Sequence, residues 1–360
     1  TVTLRQLNRW TLTRQMLLER QVLDPVVAIE CLAGMQAQFS PSPYIGLWSR
    51  LQGFRREVLE EALLADRVLK ASLQRVTLHL VSAREYGHYR MASPKAFSVY
   101  TNTVKLLESL GVDLEMVRAR VMAAVEAGPV TRRQVMELTR EIIPADLPDY
   151  SAWGVFAVTG TFINCADNAL FGQFGSSSYR LAPSADVPLL EAHRHVAAAY
   201  LGAFGPATRA DLAQWSGQLV SDFAPALDSL DLVSFKSEDG RTLIDLPNAP
   251  RPEPKMPAPV RFLPKWDNLL LAYAKRERVL PEEYRKVVIR KNGDVLPTFL
   301  VDGWVAGTWE SPLRGKAALV LSPLGPISAR DRRAVEAEGE SLLAWLRPDR
   351  PSAQVLWKEP

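Results

Sequence analysis

The stretch Gly128-Pro129-Val130-Thr131-Arg132-Arg133-Gln134-Val135 recurs 77 residues later as Gly205-Pro206-Ala207-Thr208-Arg209-Ala210-Asp211-Leu212. In both copies Gly-Pro ends one element. The threonine is placed to cap the next helix, its hydroxyl meeting the unpaired amides of the first turn. Apolar residues then fall at helical spacing: Val135 and Leu138 in one copy, Leu212 and Trp215 in the other. An amphipathic helix is expected ahead of each copy, near 113–127 and 187–204. More helix and then a strand-rich, turn-rich segment should follow each.

Helix, turn, helix, helix and β-hairpin is the order of a winged helix. The run from Leu170 to Gly175 through Tyr179-Arg180-Leu181 fits the second wing. Asp231 to Phe235, Asp239-Gly240 and Thr242-Leu243-Ile244 fit the third, since Asp-Gly favours a tight hairpin turn. A more diverged first copy is expected within 1–95, with helices at 4–20, 25–35, 41–51 and 55–66. Asp24 would cap a helix that begins with Pro25. Its wing strands would be 68–73 and 76–81.

A Pro-rich connector, 246–259, leads to a β-rich region with strands at 261–264, 287–289, 296–300 and 304–309. Lys291-Asn292-Gly293-Asp294 reads as one hairpin turn, and Leu313-Arg314-Gly315-Lys316 as a second with basic residues at its tip. A helix at 328–346 closes the region. The expected fold is α+β, mainly α: three tandem winged helix-turn-helix units (1–98, 99–184, 185–250) and a C-terminal β-rich region closed by a helix (260–360).

The 360 residues, 47% hydrophobic, suffice for several modules with sizeable cores. No apolar run approaches the ~20 residues of a membrane span, and the first residues show no secretory pattern, so a cytoplasmic location is expected. Cys31 and Cys165 lie in apolar, helix-like contexts and read as buried thiols rather than a disulfide. His193 and His195, two apart on a helix, point to different faces and would not chelate, so no metal and no cofactor are expected. The net charge is only +3, but 255–316 holds 12 Lys and Arg against 7 Asp and Glu, a balance that suits a polyanion or a solvated surface.

The segment most informative about chemistry is Gly34-Met35-Gln36-Ala37-Gln38-Phe39-Ser40-Pro41-Ser42-Pro43, running on to Gly46-Leu47-Trp48-Ser49-Arg50. Two carboxamides flank one small residue at a break between helices. They can hold a water or a phosphate but cannot serve as a strong base. Taken alone, they also fit a helix end with solvated or backbone-bonded amides. His79, among apolar residues of a strand, reads first as a core or interface histidine.

This segment resembles the AlkZ type of winged-helix DNA glycosylase. Arg75-Val76-Thr77-Leu78-His79-Leu80-Val81, Phe262-Leu263-Pro264-Lys265-Trp266-Asp267-Asn268-Leu269-Leu270 and Asp302-Gly303-Trp304-Val305-Ala306-Gly307-Thr308-Trp309 extend the resemblance over almost the whole chain. It implies a base-excision enzyme with three winged helices around a basic cleft, acting on N7-alkylated purines in double-stranded DNA. The family's glutamine-apolar-glutamine catalytic motif maps onto Gln36 and Gln38. The branch with two glutamines is associated with unhooking interstrand crosslinks made by bis-alkylating antibiotics in producer actinomycetes, whereas a sister branch carries aspartate at the second position. The resemblance also implies a hairpin in the cleft, for which 313–316 is the candidate. The expected nucleic-acid contacts are Arg50, Arg132, Arg209, Arg314 and Lys316. A monomer with no obligate protein partner is expected.

The chemistry is consistent with that implication. Glycosidases ordinarily use two carboxylates, and none stands beside Gln36 and Gln38, Glu30 being the nearest preceding acid. A neutral amide can orient water or stabilise an oxocarbenium-like sugar by its dipole. An N7-alkylguanine is already cationic and leaves as a neutral base without an acid, so this modest help can suffice. A lyase would want an amine near the motif, and no lysine precedes Lys70. A tethered crosslinked base resists full extrusion, so an open cleft is expected rather than a closed pocket. The rivals are a winged-helix transcription regulator without catalysis and a scaffold protein without salt-dependent DNA affinity.

Overall fold

The computed structural model describes residues 1–93, 101–147, 151, 155–156, 162–173, 177–312 and 318–358. Its strands are β1 (Met35–Gln36), β2 (Val68–Ser72), β3 (Leu78–Ser82), β4 (Val130–Thr131), β5 (Phe162–Asn164), β6 (Ser178–Leu181), β7 (Val233–Lys236), β8 (Thr242–Asp245), β9 (Arg261–Leu263), β10 (Thr298–Val301), β11 (Trp304–Glu310), β12 (Ala318–Pro323) and β13 (Gln354–Trp357). With the interleaved helices they make a mixed α and β fold.

One pairing pattern occurs three times. A helix ends, a very short extended segment follows, another helix begins, and the short segment pairs with the second strand of a later hairpin. After the helix Pro25–Cys31, β1 pairs antiparallel with β3. After the helix Leu114–Ala127, β4 pairs with β6, Val130 opposite Tyr179. After the helix Leu189–Phe204, Ala207 bridges Ile244 of β8. The repeated threonines act as caps: Gln134 N donates to Thr131 Oγ1 at 3.2 Å, and Asp211 N to Thr208 Oγ1 at 3.0 Å. Each is closed reciprocally, Thr131 N to Gln134 Oε1 and Thr208 N to Asp211 Oδ2.

The first two hairpins join edge to edge into one six-stranded antiparallel sheet, ordered β1-β3-β2-β5-β6-β4. The seam is a single pair, Lys70 opposite Asn164. Leu107, Val117, Val121, Val125, Val130 and Val135 give the second repeat its own core. The first repeat instead shares apolar surface with both the third repeat and the C-terminal sheet, which binds those parts together. That sheet is ordered β13-β12-β11-β10-β9. The helix Ala329–Leu346 lies on it, burying Val335, Leu342, Leu343 and Leu346.

The N-terminal helix Leu4–Arg14 ties the first repeat to the third and to the C-terminal region. Arg14 grips Asp245 of β8 through two bonds of 2.7 and 2.8 Å, both side chains fully buried. Asn8 Nδ2 donates to the carbonyls of Arg278 and Gly303.

Several expectations need correction. The helix expected over 4–20 stops at Arg14, and Met16 takes a positive φ of 55°. The run Val287-Val288-Ile289 does not form a strand; it ends the helix Glu282–Val288, in which acidic residues lead and basic residues close the last turn, as the helix dipole favours. The second wing takes its first strand from Phe162–Asn164, ahead of the expected segment. Cys31 is exposed at a helix end, and Cys165 follows β5 outside any α-helix. The candidate turn at 313–316 lies outside the described residues.

Removing one member of a buried ion pair strands the other, at a typical cost of about 3–5 kcal/mol. Asp245→Ala should therefore lower the urea midpoint strongly, whereas Arg209→Ala, which loses only an exposed pair with Asp228, should leave it nearly unchanged. Equal midpoints for Asp245→Ala and wild type would show that the N-terminal tie contributes nothing.

Candidate active site

The paired glutamines sit on and just beyond β1. Ala33 and Gly34 reverse the chain in left-handed conformations (φ 57° and 81°) after the helix Pro25–Cys31. A Cβ at Gly34 would lie 3.1 Å from Val81 and 3.2 Å from the Leu80 carbonyl, so close packing against β3 requires glycine. Met35 and Gln36 then pair with Leu80 and His79. Ala37 N donates to the Leu78 carbonyl at 2.7 Å. Beyond it the Gln38 side chain takes over from the backbone, with Leu78 N donating to Gln38 Oε1 at 3.2 Å.

The other edge of β1 is closed by one side chain. Asn268 Nδ2 donates to the Gly34 carbonyl at 2.6 Å, and Gln36 N donates to Asn268 Oδ1 at 3.2 Å. Neighbouring Asp267 is bidentate to Arg50, both bonds 2.9 Å, and caps Leu269 N at 3.0 Å. Trp266 precedes them with a positive φ of 55°, unusual for a bulky residue, and remains partly exposed. Lys265 Nζ lies 4.4 Å from its ring centroid. The segment 264–268 thus anchors the glutamine strand.

Gln36 is buried. A buried amide needs partners. Arg75 Nη2 donates to Gln36 Oε1 at 2.9 Å, and the same guanidinium donates to the Trp215 carbonyl. Gln38 is exposed. Arginine and a backbone N–H can only donate, so the atoms facing them are the amide oxygens.

His79, directly opposite Gln36, shares its face of the sheet. Its Nδ1 donates to the Thr77 carbonyl at 2.9 Å, which leaves Nε2 as a buried lone-pair acceptor without a partner among the described residues. Burial, helped by Arg75, pushes its pKa down to about 3. Lys70 lies on the opposite face, paired with Leu80, its amine bonded to the Asn168 carbonyl at 2.7 Å. Burial brings that amine down to about 8.

A cavity of about 10 Å³, room for one water, is lined by Gln36, Met35, Gln15, Asn268, Asp267 and Trp266 among others. It is far too small for a nucleobase. Asp267, the one carboxylate lining it among the described residues, is already spent on Arg50 and Leu269 N.

The expected nucleic-acid contacts are scattered. Arg50 is buried and locked to Asp267, with Nη1 also bonded to the Gly46 carbonyl at 3.0 Å; the structure removes it from phosphate contact. Arg132 is exposed in a concavity of about 440 Å³ with Thr131, Arg133, Ser177 and Tyr179. Arg209 is exposed but paired with Asp228 at 2.9 Å. Arg314 and Lys316 lie outside the described residues. Sequence reasoning assigned no role to Arg75, Asp267 or Asn268, although all three stand in the segments that carried the resemblance.

The two carboxamides stand on and just beyond β1, and among the described residues lining the cavity the one carboxylate, Asp267, is already bonded to Arg50. The chain belongs to the DNA glycosylase AlkZ-like family, whose profile matches residues 29–345. It is 27% identical over 378 residues to the "Interstrand DNA cross-link repair glycosylase" of Streptomyces sahachiroi, covering 93% of this chain and 94% of that protein. Its fold matches the solved structure of Streptomyces sahachiroi DNA glycosylase AlkZ with a TM-score of 0.74, at 22% identity over 99% of each chain.

Because the folded pKa of His79 lies below its ordinary 6.5, the unfolded chain takes up a proton that the folded one refuses as pH falls from 6.5 toward about 3. Stability should be withdrawn over that window. In urea titrations at about pH 7 and about pH 5, the midpoint of His79→Leu should fall less than that of wild type; an equal fall would exclude His79 as its source.

Proposed function

We propose that this protein is a monofunctional DNA glycosylase that hydrolyses the N-glycosidic bond of N7-alkylated purines, crosslinked ones included, with Gln36 and Gln38 as its catalytic residues. The observation that carries this reading is that the acid lining the cavity beside Gln36, Asp267, is saturated by Arg50 and Leu269 N. Neutral amides are left to do the work. They can hold a water and respond to charge developing on the sugar, but they cannot protonate a leaving group. A cationic N7-alkylguanine needs no such proton. Normal bases do, and are spared.

Family membership favours the glycosylase over the transcription regulator. The crosslink-repair name of the Streptomyces relative supports bulky, tethered lesions as substrates. Lys70, on the face away from Gln36, is poorly placed to form a Schiff base, in keeping with hydrolysis alone.

The recurring pattern of helix, short strand, helix and hairpin supports three tandem winged helices, divided near 98, 184 and 250, as the DNA-holding frame. In the second unit, Arg132 and Arg133 beside Tyr179 form a basic concavity suited to the phosphate backbone. No helix among the described residues is long and apolar enough to cross a membrane; a bacterial cytoplasmic location near the nucleoid fits a DNA substrate.

With duplex DNA carrying N7-methylguanine, Gln36→Ala and Gln38→Ala should each lower the single-turnover rate of abasic-site formation by about 10²–10³-fold, the usual effect of losing one preorganised polar group. Full activity in both variants would refute the assignment. Arg132→Ala with Arg133→Ala should instead weaken DNA affinity and reduce its salt dependence by about one phosphate per arginine removed; an unchanged salt slope would exclude that contact.

A further inference from the structure

Arg75 is an unusual residue to find bonded to a catalytic amide. It stands at the tip of the β2–β3 hairpin, where it and Val76 both adopt left-handed backbone (φ 53° and 57°). Its backbone lies on the third repeat. A Cβ at Gly217 would come within 3.0 Å of Arg75 Cα, and Gly217 itself has a φ of +78°. Its guanidinium reaches back to bond the Trp215 carbonyl and Gln36 Oε1.

Among the described residues, no carboxylate forms an ion pair with Arg75. The charged neighbour that affects it most is a second cation, Arg276, and burial together with that cation brings Arg75 down to about 10. A part-buried cation without a carboxylate partner is costly to hold, and left-handed backbone at two successive non-glycine residues adds strain. The fold accepts both costs to bring one guanidinium to one amide oxygen.

Resting on the glycosylase reading above, we propose that Arg75 is a positioning residue that fixes Gln36 as a hydrogen-bond donor, by holding Oε1 and presenting Nε2 to the DNA. Gln36 Nε2 is not among the fully buried side-chain atoms and has no protein partner among the described residues. Gln38 matches it: Leu78 N holds Oε1, and its amino group is left over. The two amino groups are therefore the atoms of the pair left without a protein partner among the described residues.

Donors suit an acceptor, such as the oxygen of the attacking water or an oxygen of the deoxyribose or phosphate. The arrangement also sets the arginine charge behind the amide, away from the sugar on which positive charge develops. Each amide oxygen keeps a second lone pair, but its direction is fixed by the donor already bound. The third repeat, through Gly217 and Trp215, thereby sets the orientation of a side chain in the first.

The test uses the full chain and a duplex with one N7-methylguanine, measuring single-turnover release and, separately, DNA affinity by anisotropy. Arg75→Met should slow release by about 10- to 100-fold, the scale of a misplaced reacting group, with affinity unchanged. Arg75→Lys should recover part of the loss. Gln36→Glu keeps a partner for Arg75 but has no amino group, and should be as impaired as Gln36→Ala; this variant carries the test if circular dichroism shows that Arg75→Met does not fold. A Gln36→Glu enzyme as active as wild type would overturn the donor role. So would an undiminished Arg75→Met, or an Arg75→Met whose rate loss is wholly a loss of affinity, which would make Arg75 a phosphate contact. Absence of base release by the wild-type protein would sink the glycosylase reading and this inference with it; normal wild-type release beside an unimpaired Arg75→Met sinks this inference alone.

Discussion

A carboxamide buried on a two-residue strand must find hydrogen-bond partners, and much of the architecture follows from meeting that need at Gln36. Its backbone is held between β3 and Asn268, and its side-chain oxygen by Arg75. Asn268 is in place because Asp267 before it is locked to Arg50. Arg75 is in place because its hairpin tip leans on Gly217. Three distant parts of the chain, the first repeat, the third repeat and the C-terminal region, therefore converge on one two-residue strand. Low tolerance for disorder is expected of a polar network in a low-dielectric setting, where a half-satisfied amide costs more than an apolar one.

Such a site is rigid and chemically mild. Its titratable neighbours are neutralised or occupied: His79 is held neutral by burial, Asp267 is consumed by Arg50, and Lys70 faces the other way. What remains is a pair of oriented dipoles. Catalysis by preorganised dipoles needs no change in protonation during the reaction. It does need a substrate that brings its own driving force, and a positively charged purine does so. On the proposed reading the same limitation gives selectivity, because an uncharged base would meet no free acid among the described residues lining the cavity.

The sequence made the repeat, its threonine caps and the tight hairpins legible, because capping and turn chemistry are local and depend on few residues. It also made the carboxamide motif legible. It did not show that the motif lies on a strand, since β1 has two residues and owes its existence to β3 and Asn268, 43 and more positions away. Arg50 looked like a surface arginine at the end of a helix; only the fold brings Asp267 to it. Val287-Val288-Ile289 carries β-branched side chains, yet the charges before it complement a helix dipole and the helix prevails. Arg75 gave no signal as a lone basic residue in a hairpin. Among the described residues no carboxylate pairs with it, which is a property of the packed structure.

The account depends on the charge of the departing base. The most direct measurement compares single-turnover release of N7-methylguanine with that of 7-deaza-7-methylguanine, a neutral isostere, from otherwise identical duplexes. The cationic base should be released and the neutral one retained, with both duplexes bound comparably. Release of the two at similar rates would mean that the enzyme supplies a proton or a stronger catalyst of its own, and would contradict a mechanism built on neutral carboxamides.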